Sequence, residues 1–272
     1  MSTLYITDLD ATLLNTDAKI SRFTADTINA LIEKGVKFSF ATARSDETAL
    51  KVTGGLVPNV PIVVYTGAFL VDPKTREKIV SHFMNKREID AVKEAVRRFR
   101  QIPIVYSVLE GREKFIYDMS IATDNMKKFV KDREKGTRNH PVEGGFESTL
   151  IGDIFYFAFI EPKEVLEPVY EFLREKCNCL FQPDNYTDNW FLEVMAEKAT
   201  KANAALELKS MLGCDKMVAF GDGINDIPLL RAADEGYAVA NAEDKLKEIA
   251  TGIIGHCDED AVAKWLTENS GY

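Results

Sequence analysis

The chain has 272 residues, a formal net charge of −9 and 46% hydrophobic residues, enough for one large domain or two modest ones. No stretch approaches the roughly 18 to 20 uninterrupted apolar residues of a membrane span. The N-terminus lacks the basic start and apolar run of a signal peptide. The acidic balance argues against a nucleic-acid backbone or an anionic membrane as partner. The four cysteines (Cys177, Cys179, Cys214, Cys257) show no zinc-site spacing and the three histidines are scattered, so the expectation is a cytoplasmic protein with free thiols.

Taken in order, the chain opens on an apolar run, Leu4-Tyr5-Ile6, the pattern of a strand buried on both faces of a parallel sheet. It runs into Thr7-Asp8-Leu9-Asp10, two carboxylates spaced i, i+2, whose side chains share a side if the strand reaches that far. Such a pair keeps both charges only beside a cation or hydrogen-bond donors. Ser21 to Lys34 reads as a helix with Gly35 as its C-cap, and Val36 to Ala41 as a strand ending in Thr42-Ala43-Arg44-Ser45, with Ser45 as the next N-cap. Pro61 to Tyr65 is a third strand, followed by a hairpin of Ala68–Val71 and Lys78–Val80. This β-α-β-α-β order implies a parallel sheet with right-handed crossovers.

The pattern changes near Ser81. Arg87–Arg100 reads as an amphipathic helix, and Ile104–Leu109 and Lys114–Tyr117 as paired strands. A helix over Ala122–Lys135 and a polar loop over Gly136–Ser148 follow. Ile154–Ile160 is an aromatic strand, Pro162–Cys177 a helix and Cys179–Gln182 an extended segment. The alternation returns with strand Phe191–Met195, helix Thr200–Leu212, strand Met217–Phe220 and Gly221-Asp222-Gly223-Ile224-Asn225-Asp226. Helix Ile227–Ala233, strand Gly236–Ala240 and helices Glu243–Ala250 and Asp260–Thr267 close the chain. The expected fold is α/β: a Rossmann-like, doubly wound parallel-sheet core over 1–81 and 189–272, with an α+β domain inserted over 82–188.

In open α/β sheets ligands bind beyond the carboxyl ends of the strands, at a switch point. Those ends carry Asp8 and Asp10, Thr42, Lys201, and Asp222 with Asp226. Carboxylates without histidine or thiolate favour Mg²⁺ over zinc, and a hydroxyl, a lysine and helix-start N–H groups suit phosphate.

With these motifs in that order, the chain resembles the haloacid dehalogenase (HAD) superfamily phosphatases, of the Cof-like subgroup with a large C2-type cap inserted after the second motif. Asp8-Leu9-Asp10-Ala11-Thr12-Leu13-Leu14 matches the first motif and Ala41-Thr42-Ala43-Arg44-Ser45 the second. Thr200-Lys201-Ala202-Asn203-Ala204-Ala205-Leu206 matches the third, and Gly221 to Leu230 the fourth. The resemblance implies a Mg²⁺-dependent phosphatase of small phosphorylated metabolites, with Asp8 as nucleophile and Asp10 as general acid and base. It implies a metal held by Asp8, the Asp10 backbone carbonyl, Asp222 and Asp226. Thr42, Ala43, Arg44, Lys201 and Asn225 would bind phosphate and substrate. Lys198 competes with Lys201, which keeps the family's spacing to Gly213.

The family usually has glycine where this chain has Ala11, Ala43 and Ala202, and asparagine-glycine where it has Thr66-Gly67. A phosphomutase and a low-activity regulatory protein that binds phosphometabolites are the alternative functions on the same fold. The partner is then a small phosphorylated metabolite, without nucleic acid or membrane, and the state a monomer or weak homodimer. The cap is expected to close over the Asp8 crevice and to set specificity, with Arg138, Asn139 and His140 of the 136–148 loop as candidates to reach a substrate.

Overall fold

The computed structural model describes residues 2–133, 136–184 and 187–271. The chain divides into two compact units, one of residues 1–81 and 199–272 and the other of residues 82–198.

The first unit begins with β1 (Thr3–Thr7), α1 (Arg22–Glu33), β2 (Lys37–Phe40), α2 (Asp46–Val52), β3 (Ile62–Val64), β4 (Phe69–Val71) and β5 (Lys78–Ser81). The second holds α3 (Lys86–Phe99), β6 (Ile104–Leu109), β7 (Arg112–Tyr117), α4 (Asp124–Asp132), β8 (Asn139–Pro141), β9 (Asp153–Glu161), α5 (Lys163–Leu173), β10 (Asn178–Pro183) and β11 (Trp190–Met195). The chain then returns to the first unit with α6 (Lys201–Met211), β12 (Lys216–Gly221), α7 (Ile227–Ala232), β13 (Glu235–Ala238), α8 (Asp244–Lys247), β14 (Gly252–Ile253) and α9 (Ala261–Asn269).

The first unit's main sheet has five parallel strands in the order β14-β13-β12-β1-β2. A parallel bridge from Ala41 to Val63 joins β3 to its edge, and β3, β4 and β5 run antiparallel to one another. From β1 the chain winds outward through β2 and β3; it later restarts beside β1 at β12 and winds the other way. The switch point therefore lies between β1 and β12.

Alternation along β1 explains why its run is apolar on both faces. Leu4 and Ile6 join a core cluster with Met217, Ala219, Leu208, Leu229 and Leu230 on the α6 and α7 side. Tyr5 points the other way, its ring 6.3 Å from Trp265 of α9, which also meets Phe220 and Tyr237. Helices on both faces remove each side of the strand from water, at about 1.5–3 kcal/mol per large apolar side chain. The doubly wound parallel core is as the alternating pattern requires.

The second unit has a six-stranded sheet ordered β10-β11-β9-β6-β7-β8, antiparallel except for β7 with β8. Phe155, Phe157 and Phe159 of β9 are fully buried, and Tyr156 nearly so. Helix α3 starts with a complete capping box, in which Asn85 accepts the Glu88 N–H and the Glu88 carboxylate accepts the Asn85 N–H.

Three expectations are corrected. Phe191–Met195 is not a core strand: β11 lies between β9 and β10, from Trp190 against Glu161 to Met195 against Tyr156. The border therefore falls at 198/199 rather than 188/189. The apolar run misleads because a strand flanked on both sides in an antiparallel sheet is as hydrophobic as one in a parallel core. The 136–148 segment is not free loop either. Asn139–Pro141 pairs with β7, Asn139 Nδ2 donates to the Arg133 carbonyl at 2.6 Å, and the Arg138 guanidinium lies 4.6 Å from the Phe115 ring centre. The helix read over Ala122–Lys135 spans Asp124–Asp132; its expected end at Lys135 lies outside the described residues. The short edge strand β14 is an addition that two residues of pattern do not signal.

Candidate active site

β1 delivers Asp8 to the switch point. The Asp8 N–H donates to the Phe220 carbonyl at 2.9 Å, the last step of the β1–β12 ladder. The chain then makes a wide turn in which the Leu14 N–H donates to the Leu9 carbonyl at 2.8 Å. Asp10 is extended at φ −69°, ψ 126°, and Ala11 is left-handed at φ 55°, ψ 13°. That is where the family's glycine would sit without strain; an L-residue there costs about 1–2 kcal/mol. The turn aims Thr12 back at the neighbouring strand end, where its hydroxyl donates to Asp222 Oδ1 at 3.0 Å.

Lys201 enters from the start of α6. Thr200 caps the helix, its hydroxyl accepting the Asn203 N–H at 3.0 Å. Gly67, at φ 99°, lets this start come close: a Cβ there would stand 2.3 Å from the Thr200 carbonyl oxygen. Lys201 is 3% exposed and donates to Asp8 Oδ1 at 2.5 Å and Asp226 Oδ1 at 2.7 Å. Lys198, the competing lysine, is exposed.

Asp226 is fully buried, and its Oδ2 accepts the N–H groups of Asp222 and Gly223, each at 3.2 Å. Gly221 makes room for it, since a Cβ there would lie 2.7 Å from the Asp226 Cβ. Asp8, Asp222 and Asp226 each offer a carboxylate oxygen within 4.8 Å of the others.

Three carboxylates share one ammonium, and the electrostatics show it. Burial pushes the Asp8 carboxyl well above its usual range, Lys201 pulls it down, and Asp226 and Asp222 push it up again. Burial and the neighbouring Asp226 raise Asp222 to about 6. Burial acts to lower Lys201, but Asp226 and Asp8 outweigh it and hold the ammonium above the usual lysine range. The cluster is short of positive charge. Its donors are all oxygen, in carboxylates brought from two adjacent strand ends, which fits a hard divalent cation.

Asp10 is held apart from this cluster. Its carboxylate takes a two-point contact from Arg44, Nε to Oδ2 at 2.8 Å and a terminal nitrogen to Oδ1 at 2.5 Å. Thr42 is buried at the end of β2; its hydroxyl accepts the Arg44 N–H at 3.2 Å and its carbonyl accepts the Thr66 N–H at 2.9 Å. Ala43 and Asn225 are half-buried on the loops of the same strand edge.

Two contacting residues escape the sequence reading. Thr12 belongs to the first motif, but its hydroxyl bond to Asp222 depends on the left-handed turn at Ala11. Asn241 carries no motif signal, and its Nδ2 donates to the Ala11 carbonyl at 2.7 Å. A second set of metal-capable atoms, on His256, Cys257 and Asp258, is already engaged: Asp258 accepts from Thr16, and His256 Nδ1 from the Asp258 N–H.

A family model described as haloacid dehalogenase-like hydrolase matches residues 5–266. The chain is 27% identical over 271 residues to a putative phosphatase of Haemophilus influenzae, covering 96% of this chain and 95% of that one. It is 25% identical over 264 residues to the 5-amino-6-(5-phospho-D-ribitylamino)uracil phosphatase of Bacillus subtilis, covering 96% and 95%. Among solved structures, it is similar to a HAD-superfamily phosphatase of Bacteroides thetaiotaomicron, with TM-score 0.75 and 21% identity over 98% and 95% of the two chains. A HAD subclass IIB sugar phosphatase superposes with TM-score 0.72 and 21% identity over 99% of each chain. With the family model spanning nearly its whole length and its four motifs gathered on one sheet edge, the chain belongs to the haloacid dehalogenase-like hydrolases.

Proposed function

We propose that the protein is a Mg²⁺-dependent phosphatase of small phosphorylated metabolites, a sugar phosphate or a similar phosphomonoester, acting through an aspartyl-phosphate on Asp8. The observation that carries this reading is the buried Asp8 carboxylate at the switch point, bonded to Lys201 and crowded by Asp222 and Asp226. Relatives that match along nearly their whole length and are named phosphatases support it.

Asp8 attacks phosphorus with one carboxylate oxygen, and the bond to the leaving oxygen breaks. Asp10 donates a proton to that oxygen, then takes one from the water that hydrolyses the aspartyl-phosphate. The Arg44 fork engages both Asp10 oxygens, so one of them leaves Arg44 to carry the proton given to the leaving oxygen in the first transfer. Thr42, Ala43, Arg44 and Lys201 hold the phosphoryl oxygens, where charge stabilisation contributes most, and Asn225 assists in binding. Asp8, Asp222, Asp226 and the Asp10 carbonyl would hold the cation, which when bound cancels repulsion between carboxylate and phosphate and clamps the transferring group. The inserted unit of residues 82–198 selects the leaving portion, because a phosphate pocket alone accepts any phosphoester.

Phosphate release from a panel of phosphorylated metabolites tests this directly. Activity should vanish with a chelator and return with Mg²⁺. Recovery with zinc alone, or transfer of phosphate to a second hydroxyl of a hexose phosphate in place of release, would overturn the reading.

A further inference from the structure

We infer that Asn241 is a positioning residue of this centre: its side chain clamps the acidic loop after β1 to the loop after β13, and so sets the backbone from which Asp10 and Thr12 act. The inference rests on the phosphatase reading above.

Three strand ends meet here, and the 239–243 turn braces two of them. Its backbone is fastened to the Asp222 loop at both ends. The Val239 N–H donates to the Gly221 carbonyl at 3.2 Å and the Glu243 N–H to the Asp222 carbonyl at 2.8 Å. Midway between these anchors, Asn241 reaches across to the other loop, Nδ2 donating to the Ala11 carbonyl at 2.7 Å. Its Oδ1 accepts the Cys257 N–H at 2.9 Å, which fixes the amide plane and decides which end faces Ala11. Both halves of the amide are used, so the side chain has no freedom left with which to follow a moving loop.

The partner carbonyl is the one where holding matters. Ala11 is left-handed without being glycine, a conformation that an alanine leaves unless its surroundings fix it. The Ala11 carbonyl belongs to the peptide that leads into Thr12, whose hydroxyl bonds to Asp222. The preceding peptide carries the Asp10 carbonyl assigned above to the cation. If that peptide rotates, both shift together. Asn241 thus ties the spacing between the Asp8–Asp10 loop and the Asp222 loop to a third element, without touching substrate.

The test compares Asn241→Ala and Asn241→Asp with wild type in the full chain. Asn241→Asp keeps the acceptor for the Cys257 N–H but loses the loop bond and adds a negative charge facing the Ala11 carbonyl, whereas Asn241→Ala loses the bond without adding charge, so the effect must appear in both. Amide exchange is read on peptides covering residues 9–14, with peptides from β6 and β7 as control. Turnover is read with p-nitrophenyl phosphate and Mg²⁺. In both variants exchange at 9–14 should rise by about tenfold or more with the control unchanged. The kcat should fall by about ten- to a hundredfold with KM held within about threefold, the pattern of a misplaced reacting group. Unchanged protection at 9–14, a kcat within about twofold of wild type, or a loss confined to KM overturns the inference. If wild type itself releases no phosphate, the phosphatase reading fails, while the exchange comparison still decides whether Asn241 holds the loop.

Discussion

Asp8, Lys201, Asp222 and Asp226 are legible in the sequence because each stands in a short motif beside a strand or helix boundary, where side-chain chemistry and backbone pattern coincide. Asn241 is not, since a polar residue in a turn after a short strand is ordinary, and only the tertiary path of the Ala11 loop gives it a partner. Glu193 is another buried group that pattern alone hides, inside the run Phe191–Met195. Its Oε2 is shielded and has no hydrogen-bond partner among the described residues, and the Tyr156 hydroxyl bonds to its carboxyl. Burial raises this carboxyl from an ordinary 4.5 to about 7, against the pull of Tyr156. The folded chain therefore holds the Glu193 proton more tightly than the unfolded chain. Its contribution to stability is complete below about pH 4.5, declines as pH rises towards 7 and is lost above it. The slope is at most about 1.4 kcal/mol per pH unit. In urea unfolding from pH 5 to 7.5, Glu193→Gln should flatten this decline and be the more stable protein at the upper end. Equal pH dependence in the two proteins would contradict the assignment.

At the scale of elements, the placement of buried Lys201 depends on a glycine in another segment. The turn after β3 runs through Tyr65, Thr66 and Gly67, all at positive φ, and packs against the start of α6 so closely that no Cβ fits at Gly67. Gly67→Ala should lower stability by about 1–3 kcal/mol, from overpacking and from the left-handed backbone together. It should also reduce turnover, by moving the Thr200 cap and with it Lys201. Denaturant unfolding and phosphate release check the two effects; a fully stable and active Gly67→Ala would contradict the close approach. The strand-to-helix alternation of this unit is read correctly because its periods change cleanly at capped helix starts, Ser21, Ser45 and Thr200. The same logic misplaces β11, whose register is set by β9 and β10 rather than by anything within its own six residues. It also leaves β8 as loop, since a strand of three residues, one of them Pro141, has too little pattern to register.

For the whole molecule, the two units divide the work that a phosphatase must do. On the proposed reading the core would supply phosphate and cation chemistry from one sheet edge, and the inserted α+β unit, which carries none of the four motifs, would make the choice of substrate. Exchanging residues 82–198 for the inserted unit of a relative with a different substrate should carry that relative's kcat/KM ranking with it. A ranking that stays with the core would place specificity outside the insert. The central claim, that Asp8 is the nucleophile, is tested most directly by phosphate release from Asp8→Asn alongside its thermal melting. Lys201 keeps Asp226 as partner and one of three crowded carboxylates becomes neutral, so the variant should melt no lower than wild type. Its turnover should fall below about a hundredth of wild type, since loss of acid–base catalysis alone costs about 10²–10⁴-fold and here the attacking atom itself is replaced. A folded Asp8→Asn protein that still turns over at more than about a hundredth of the wild-type rate would contradict the account.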